Sequence, residues 1–274
     1  MNSVDTKPVS AASAGWFLVE ILALAGRRLH HLRRAPGRLL GLLLNPLVTL
    51  LALGYLFKNA IAAPAGGDYQ DYLMAGIVAQ AALASIGPTA IGVAMDLRVG
   101  LMDRFRSLPI SRSAVLIAHS IGDFLAGLGV LVVVTGVGLL IGWRPHGSPL
   151  SIAAGFGVAV AFLMIMIWVG ITLGVMVKNI ESIDSIGALV VVLCTFLSSS
   201  VFPVTTLPGW LQPLIRWNPV SSVADSCRHF WGNPTLPDPG FLGQHRELVM
   251  VLWLAVLAVG TVVLSLRRFR TAAA

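Results

Sequence analysis

Residues 114–142 and 150–177 are two long apolar runs that hold one carboxylate between them, Asp123. No other feature restricts the fold as much. A helix rises about 1.5 Å per residue, so either run outspans the roughly 30 Å of hydrocarbon in a bilayer. In lipid the backbone must satisfy its own hydrogen bonds, which leaves helices and closed barrels. The runs are continuous rather than alternating, so helices are expected and a barrel is not. Composition agrees. Hydrophobic residues make up 56% of the 274 and charged residues 11%, where soluble domains carry roughly 25% charge. The mean hydropathy is +0.84.

Six spans are expected, at about 39–57, 70–95, 114–142, 150–177, 185–202 and 247–266. Asn45-Pro46 predicts a kink in the first and Gly87-Pro88 a bend in the second, because proline removes a helix hydrogen bond and crowds the carbonyl four residues back. Residues 1–15 are polar and are expected to form a disordered cytoplasmic N-terminus without a cleavable leader. Residues 16–36 set Leu18, Leu22, Ala25, Leu29 and Leu32 on one side and Glu20, Arg27, His31 and Arg34 on the other. That pattern describes an amphipathic helix lying in the headgroup region. Residues 37–266 form the membrane domain, with a polar segment at 96–112, a tight polar turn at 178–184 and a long connection at 203–246. Residues 267–274 form a cytoplasmic tail. The expected fold class is an all-α membrane protein: an N-terminal interfacial helix plus six transmembrane helices, with short re-entrant or surface helices in the last exterior connection.

The net charge is +7. In a soluble protein that would point to nucleic acid. Here the cations sit beside apolar runs and report topology, so no nucleic-acid partner is expected. With six spans both termini share a side, which would hold fourteen of the nineteen Lys and Arg residues. The other side would hold Lys58, Arg144, Arg216, Arg228 and Arg246. The positive-inside rule then places both termini in the cytoplasm. Arg far outnumbers Lys, and Ala and Gly are abundant, which suits a high-GC bacterial genome and a bacterial plasma membrane. Cys194 and Cys227 lie at different depths and are not expected to pair.

Motifs for chemistry are missing. The chain has no GxxxxGK[ST], HExxH, GxSxG or paired-cysteine motif, and its six histidines show no metal-ligand spacing. No metal, bound cofactor or enzymatic activity is expected. A proton- or sodium-coupled carrier needs a set of carboxylates near the midplane, and Asp123, about ten residues into the third span, is the one candidate. The chain offers a path across a membrane with no visible energy source.

Attention therefore falls on the segment 96–112. Leu101, Met102, Phe105 and Leu108 make a short apolar stripe flanked by charges; Pro109 ends the helix, and Ser111 is placed to cap the next. Such a helix suits either a lipid surface or a groove on a partner protein. In the exterior connection, Leu207, Trp210, Leu211, Leu214 and Ile215 suggest a short amphipathic helix. Asn218 reads as an N-cap with Pro219 at the first helical position, and Gly232 as the stop after Trp231. These two helices either dip into the outer leaflet, shielded by protein, or lie on the surface.

The segment from Gly100 to Ser113, GLMDRFRSLPISRS, resembles the cytoplasmic loop of type-2 ABC transporter permeases, most closely the daunorubicin/doxorubicin-resistance branch of bacterial exporters. Tyr72 to Ile77, Asn45-Pro46 with Tyr55 to Phe57, Phe202-Pro203, Leu207 to Leu211, and Asn218 to Val220 followed by Asp225 are similar to that family in order and spacing. Ala75 stands where a proline is common. The resemblance covers roughly residues 25–266.

What the resemblance implies is a dimer of permeases, identical or paralogous, each bound to a separate cytoplasmic ATPase that carries ATP and Mg. Met102, Asp103, Arg104, Phe105, Arg106 and Leu108 would contact the ATPase, with Lys178 and Glu181 as a secondary contact. The first, second and fifth spans would face the partner permease and line the path. Phe202, Leu207, Trp210, Leu211 and Asn218 would belong to an exterior gate. Function would be ATP-driven export of a lipophilic or amphipathic drug or lipid by alternating access. The alternatives are a permease for a lipid-linked glycan and an ATP-independent carrier or channel.

Overall fold

The computed structural model describes residues 36–56, 68–98, 112–177, 179–235 and 240–272. All regular structure among them is helical. The interfacial helix expected over 16–36 lies almost wholly outside the described residues, as do the N-terminus at 1–15 and most of the 96–112 segment.

Helix α1 (Pro36–Leu51) runs on through Pro46 and ends in a π-helical turn, Ala52–Leu56. The irregularity thus falls nearly two turns after the expected kink. Gln70 Nε2 donates to the Gly54 carbonyl at 2.9 Å, satisfying backbone in that widened turn. The second apolar stretch is two helices, α2 (Tyr69–Leu83) and α3 (Ile86–Arg98). The break at Ala84 and Ser85 has a local cause. Pro88 has no N–H for the Ala84 carbonyl four residues back and its ring crowds that oxygen. Ser85 Oγ donates to the Ala82 carbonyl at 2.7 Å and closes the turn. Ala75, in place of proline, lets α2 continue without interruption.

Helix α4 spans Arg112–Leu140 and α5 spans Pro149–Met176. Ser148 caps α5, its Oγ accepting from Ser151 N at 3.2 Å ahead of Pro149 at the first helical position. Helix α6 is Ile180–Phe196. It starts earlier than the fifth span was expected to, because Asn179 Oδ1 accepts from Glu181 N at 3.1 Å and caps it. It also ends six residues before 202, at the Ser198-Ser199-Ser200 run. A 3₁₀ turn (Val204–Thr206), α7 (Gln212–Arg216), α8 (Pro219–Trp231) and α9 (Phe241–Gln244) follow. Helix α10 (Arg246–Ala272) carries the chain through most of the expected tail.

Among the described residues, four stretches are long and apolar enough to cross a membrane: Tyr69–Arg98, His119–Leu140, Pro149–Met176 and Arg246–Arg268. Leu40–Tyr55 and the 17-residue α6 are shorter apolar helices. Helix α2 is the centre of the bundle, buried along all its length. Of the three spans expected to face a partner and line a path, the second therefore has no free face over α2. Helices α1 and α6 do, through Leu40, Leu44 and Val48 on one and Leu189, Leu193 and Phe196 on the other.

Close crossings rest on small residues. Gly170 and Gly174 of α5 lie against the Ile86 and Ala90 carbonyls of α3, where an added Cβ would stand 2.7 and 2.4 Å from those oxygens. Spaced four apart, the two glycines let the backbones approach as in other membrane helix pairs.

Candidate gate and coupling sites

The connection 203–246 folds back over one end of the bundle, the end expected to face outward, and its anchor is Arg228. This side chain is 0% exposed. Its Nε donates to the Tyr72 carbonyl at 2.8 Å, and Nη2 to the Ser199 and Ser200 carbonyls at 2.7 and 3.1 Å. Nη1 pairs with Asp225 Oδ1 at 2.6 Å, and the guanidinium lies 3.7 Å from the Tyr72 ring centre. A planar fork of donors suits this cluster of acceptors better than an ammonium would. The Ser198–Ser200 run needs such partners because it leaves the helix with its carbonyls unpaired. Tyr72 and Tyr69 supply two more, their hydroxyls donating to the Ser199 and Val201 carbonyls at 2.7 and 3.0 Å. Ser199 Oγ donates to Asp225 Oδ1 at 3.0 Å, and Ser221 Oγ accepts from Ser199 N at 2.9 Å.

Helix α8 is fixed at both ends. At its start Asn218 Oδ1 accepts from Val220 N at 2.8 Å, the expected cap, while Nδ2 donates to the Leu197 carbonyl at 2.7 Å. At its end Gly232 adopts φ +67°, the left-handed stop. The last four carbonyls all find donors. Asn233 N donates to Arg228 O, Gly232 N to His229 O, Ser151 Oγ to Phe230 O, and His146 N and Gly147 N to Trp231 O. Beneath them Trp231 packs with Trp143 and Phe156, each centroid 5.1 Å from its own. These contacts make α8 part of the rigid body of the bundle.

The expected gate residues divide. Asn218 is a cap and a tie to α6. Phe202 is half-buried, and its carbonyl accepts from the Tyr72 hydroxyl at 3.3 Å. The helix expected over 207–215 is regular only from Gln212, since Pro213, in its first turn, has no N–H to bond a carbonyl four residues back. Leu207 and Leu211 are half-buried, and Trp210 is 80% exposed.

Asp123 is 7% exposed in α4 and borders a small cleft with Leu42, Ala81, Ser85, Thr89 and Val130. Met102, Asp103, Arg104, Phe105, Arg106, Leu108 and Lys178 lie outside the described residues. Glu181 is exposed in the first turn of α6. Asp96, the first residue of the expected coupling segment, and His119, beyond its end, are joined: His119 Nε2 meets Asp96 Oδ2 at 2.5 Å. Sequence spacing could not find this pair, because its partners lie on different helices.

Residues 19–230 match the model of the ABC-2 type transporter family. The chain belongs to that family. Among curated relatives it is 30% identical, over 70% of its length and 68% of the relative's, to the daunorubicin resistance ABC transporter permease protein DrrB1 of Streptomyces coeruleorubidus. It is 26% identical, over 84% of its length and 83% of the relative's, to the probable doxorubicin resistance ABC transporter permease protein DrrC of Mycobacterium tuberculosis. A putative transport permease, ycf38, of Porphyra purpurea is 26% identical over 78% of this chain and 74% of that one. This ABC-2 permease is thus an integral membrane transport subunit, kin to components of drug-resistance exporters.

Proposed function

We propose that the chain is the membrane subunit of an ATP-driven exporter that moves a lipophilic or amphipathic compound, a drug or a lipid, outward by alternating access. The observation that carries this reading is the likeness to the daunorubicin resistance permease over 70% of the chain. The four long apolar helical stretches and the shorter α1 and α6 are its six spans, with both termini in the cytoplasm of a bacterial cell. ATP and Mg bind a separate ATPase subunit, and a second permease completes the path.

The segment 96–112 receives the ATPase through Met102, Asp103, Arg104, Phe105, Arg106 and Leu108, with Lys178 and Glu181 beside it. When ATP draws two ATPases together, the two coupling segments move and bias a two-state transmembrane dimer. The exposed faces of α1 and α6 support an apolar cargo, because Leu44, Val48, Leu189 and Leu193 offer aliphatic surface without charge. Segment 202–217, with exposed Trp210, forms the movable part of the exterior gate, while α8 stays with the bundle. The apolar outer face of α10, with Leu252, Val256 and Val259, meets lipid.

Co-purification with the ATPase encoded beside it tests the assignment. Phe105→Asp and Arg104→Glu are expected to release the ATPase or abolish its stimulation by cargo. Unchanged stimulation in both variants would remove 96–112 from the coupling role.

A further inference from the structure

Asp96 lies in the last turn of α3 and His119 two turns into α4, so their 2.5 Å contact closes the two helices that enter and leave residues 99–111. His119 is 5% exposed, and its Nδ1 is buried without a hydrogen-bond partner among the described residues. Among the described residues the ring is therefore held by one polar contact, the one to Asp96. Elsewhere the two helices touch little: α3 packs on α5 and α6, whereas α4 packs on α1, α2 and α5. A force applied between them would splay α3 from α4 unless something ties their ends.

We propose that His119 and Asp96 are a positioning pair that makes the ends of α3 and α4 move together when the ATPase displaces the segment between them. This rests on the exporter reading above. Neither residue touches cargo or nucleotide in this scheme. Their bond turns a displacement of the segment between them into one displacement of two otherwise separate helices, so that the two-state element includes both.

The test needs no knowledge of the cargo. Hydrogen–deuterium exchange of peptides covering 86–98 and 112–124 is measured in the full permease–ATPase complex, without nucleotide and with ATP trapped on a hydrolysis-deficient ATPase. In the wild type both peptides are expected to change together on ATP binding. In His119→Ala the ATPase still co-purifies, but the change in one peptide falls by about fivefold or more while the other persists, the range of typical coupling between sites. Asp96→Ala, whose side chain is partly exposed and so less able to unfold the protein, is expected to do the same. His119→Gln, which keeps an N–H near the position of Nε2, restores the joint change. Both peptides still responding together in the two alanine variants would overturn the proposal, as would loss of both responses with the ATPase bound. A wild-type complex that holds no ATPase, or shows no ATP-dependent change in either peptide, would overturn the exporter reading instead.

Discussion

The guanidinium of Arg228 stands 3.7 Å from the centre of the Tyr72 ring, and its Nε donates to the carbonyl of that same tyrosine at 2.8 Å. The tyrosine hydroxyl reaches on to the Ser199 carbonyl, which Arg228 also holds. One buried arginine thereby ties α2, the frayed end of α6 and α8 together. In a low-dielectric interior these charge-assisted bonds are strong, and their loss leaves several carbonyls without donors.

Arg228→Ala is accordingly expected to cost about 3 kcal/mol or more, because it leaves several buried carbonyl acceptors without their charged donor. Arg228→Lys should recover only part of this, since an ammonium lacks the planar fork. Tyr72→Phe keeps the ring under the guanidinium and removes one hydroxyl bond, for a loss near 1 kcal/mol. Thermal unfolding of the purified protein in detergent ranks the three.

Gly76 faces the same junction. A Cβ there would lie 1.9 Å from the Ser200 carbonyl oxygen, a backbone atom that cannot swing aside. Gly76→Ala is expected to destabilise the protein by about 1–3 kcal/mol or to unseat the Ser198–Ser200 turn. Gly129 of α4 meets nothing within 4 Å, so Gly129→Ala should be neutral in the same unfolding experiment.

Asn218 performs two tasks that one substitution series separates. Asn218→Ser keeps a cap for α8 but cannot reach the Leu197 carbonyl, and Asn218→Ala loses both. The expected cost is about 1 kcal/mol for the first and about 2 for the second. Hydrogen exchange should show fraying at Val220 in the alanine variant alone.

Trp210 is held by little, so its removal tests the movable segment without harming the fold. Trp210→Ala is expected to leave the unfolding temperature unchanged and to alter the transport rate. A large loss of stability would show that residues 202–217 belong to the fixed body.

The sequence made α8 legible because its signals are local: Asn218-Pro219 at the start and Gly232 at the stop lie within the helix's own neighbourhood. The apolar runs of α4, α5 and α10 were legible for the same reason. The early end of α6 was not, since Ser198–Ser200 leave the helix toward Arg228, Tyr72 and Tyr69, which lie up to some 130 residues away in the chain. By position in the sequence Arg228 falls among the cations of the exterior loops, which water would meet; it is wholly buried. The bend at Gly87-Pro88 was displaced to Ala84, the carbonyl that Pro88 cannot satisfy. Pairs such as His119 with Asp96 depend on helix packing and carry no spacing to read. The Gly170-xxx-Gly174 pattern was present in the sequence, and its partner on α3 needed the structure.

The decisive question is whether this chain moves cargo only when an ATPase drives it. Uptake of a panel of lipophilic drug and lipid probes by proteoliposomes holding the permease and its ATPase, with the ATPase side facing the medium, measures this directly. ATP-dependent accumulation that vanishes without the ATPase, and in Phe105→Asp, is the predicted result. Equal movement by the permease alone would contradict the account and make the chain an ATP-independent carrier.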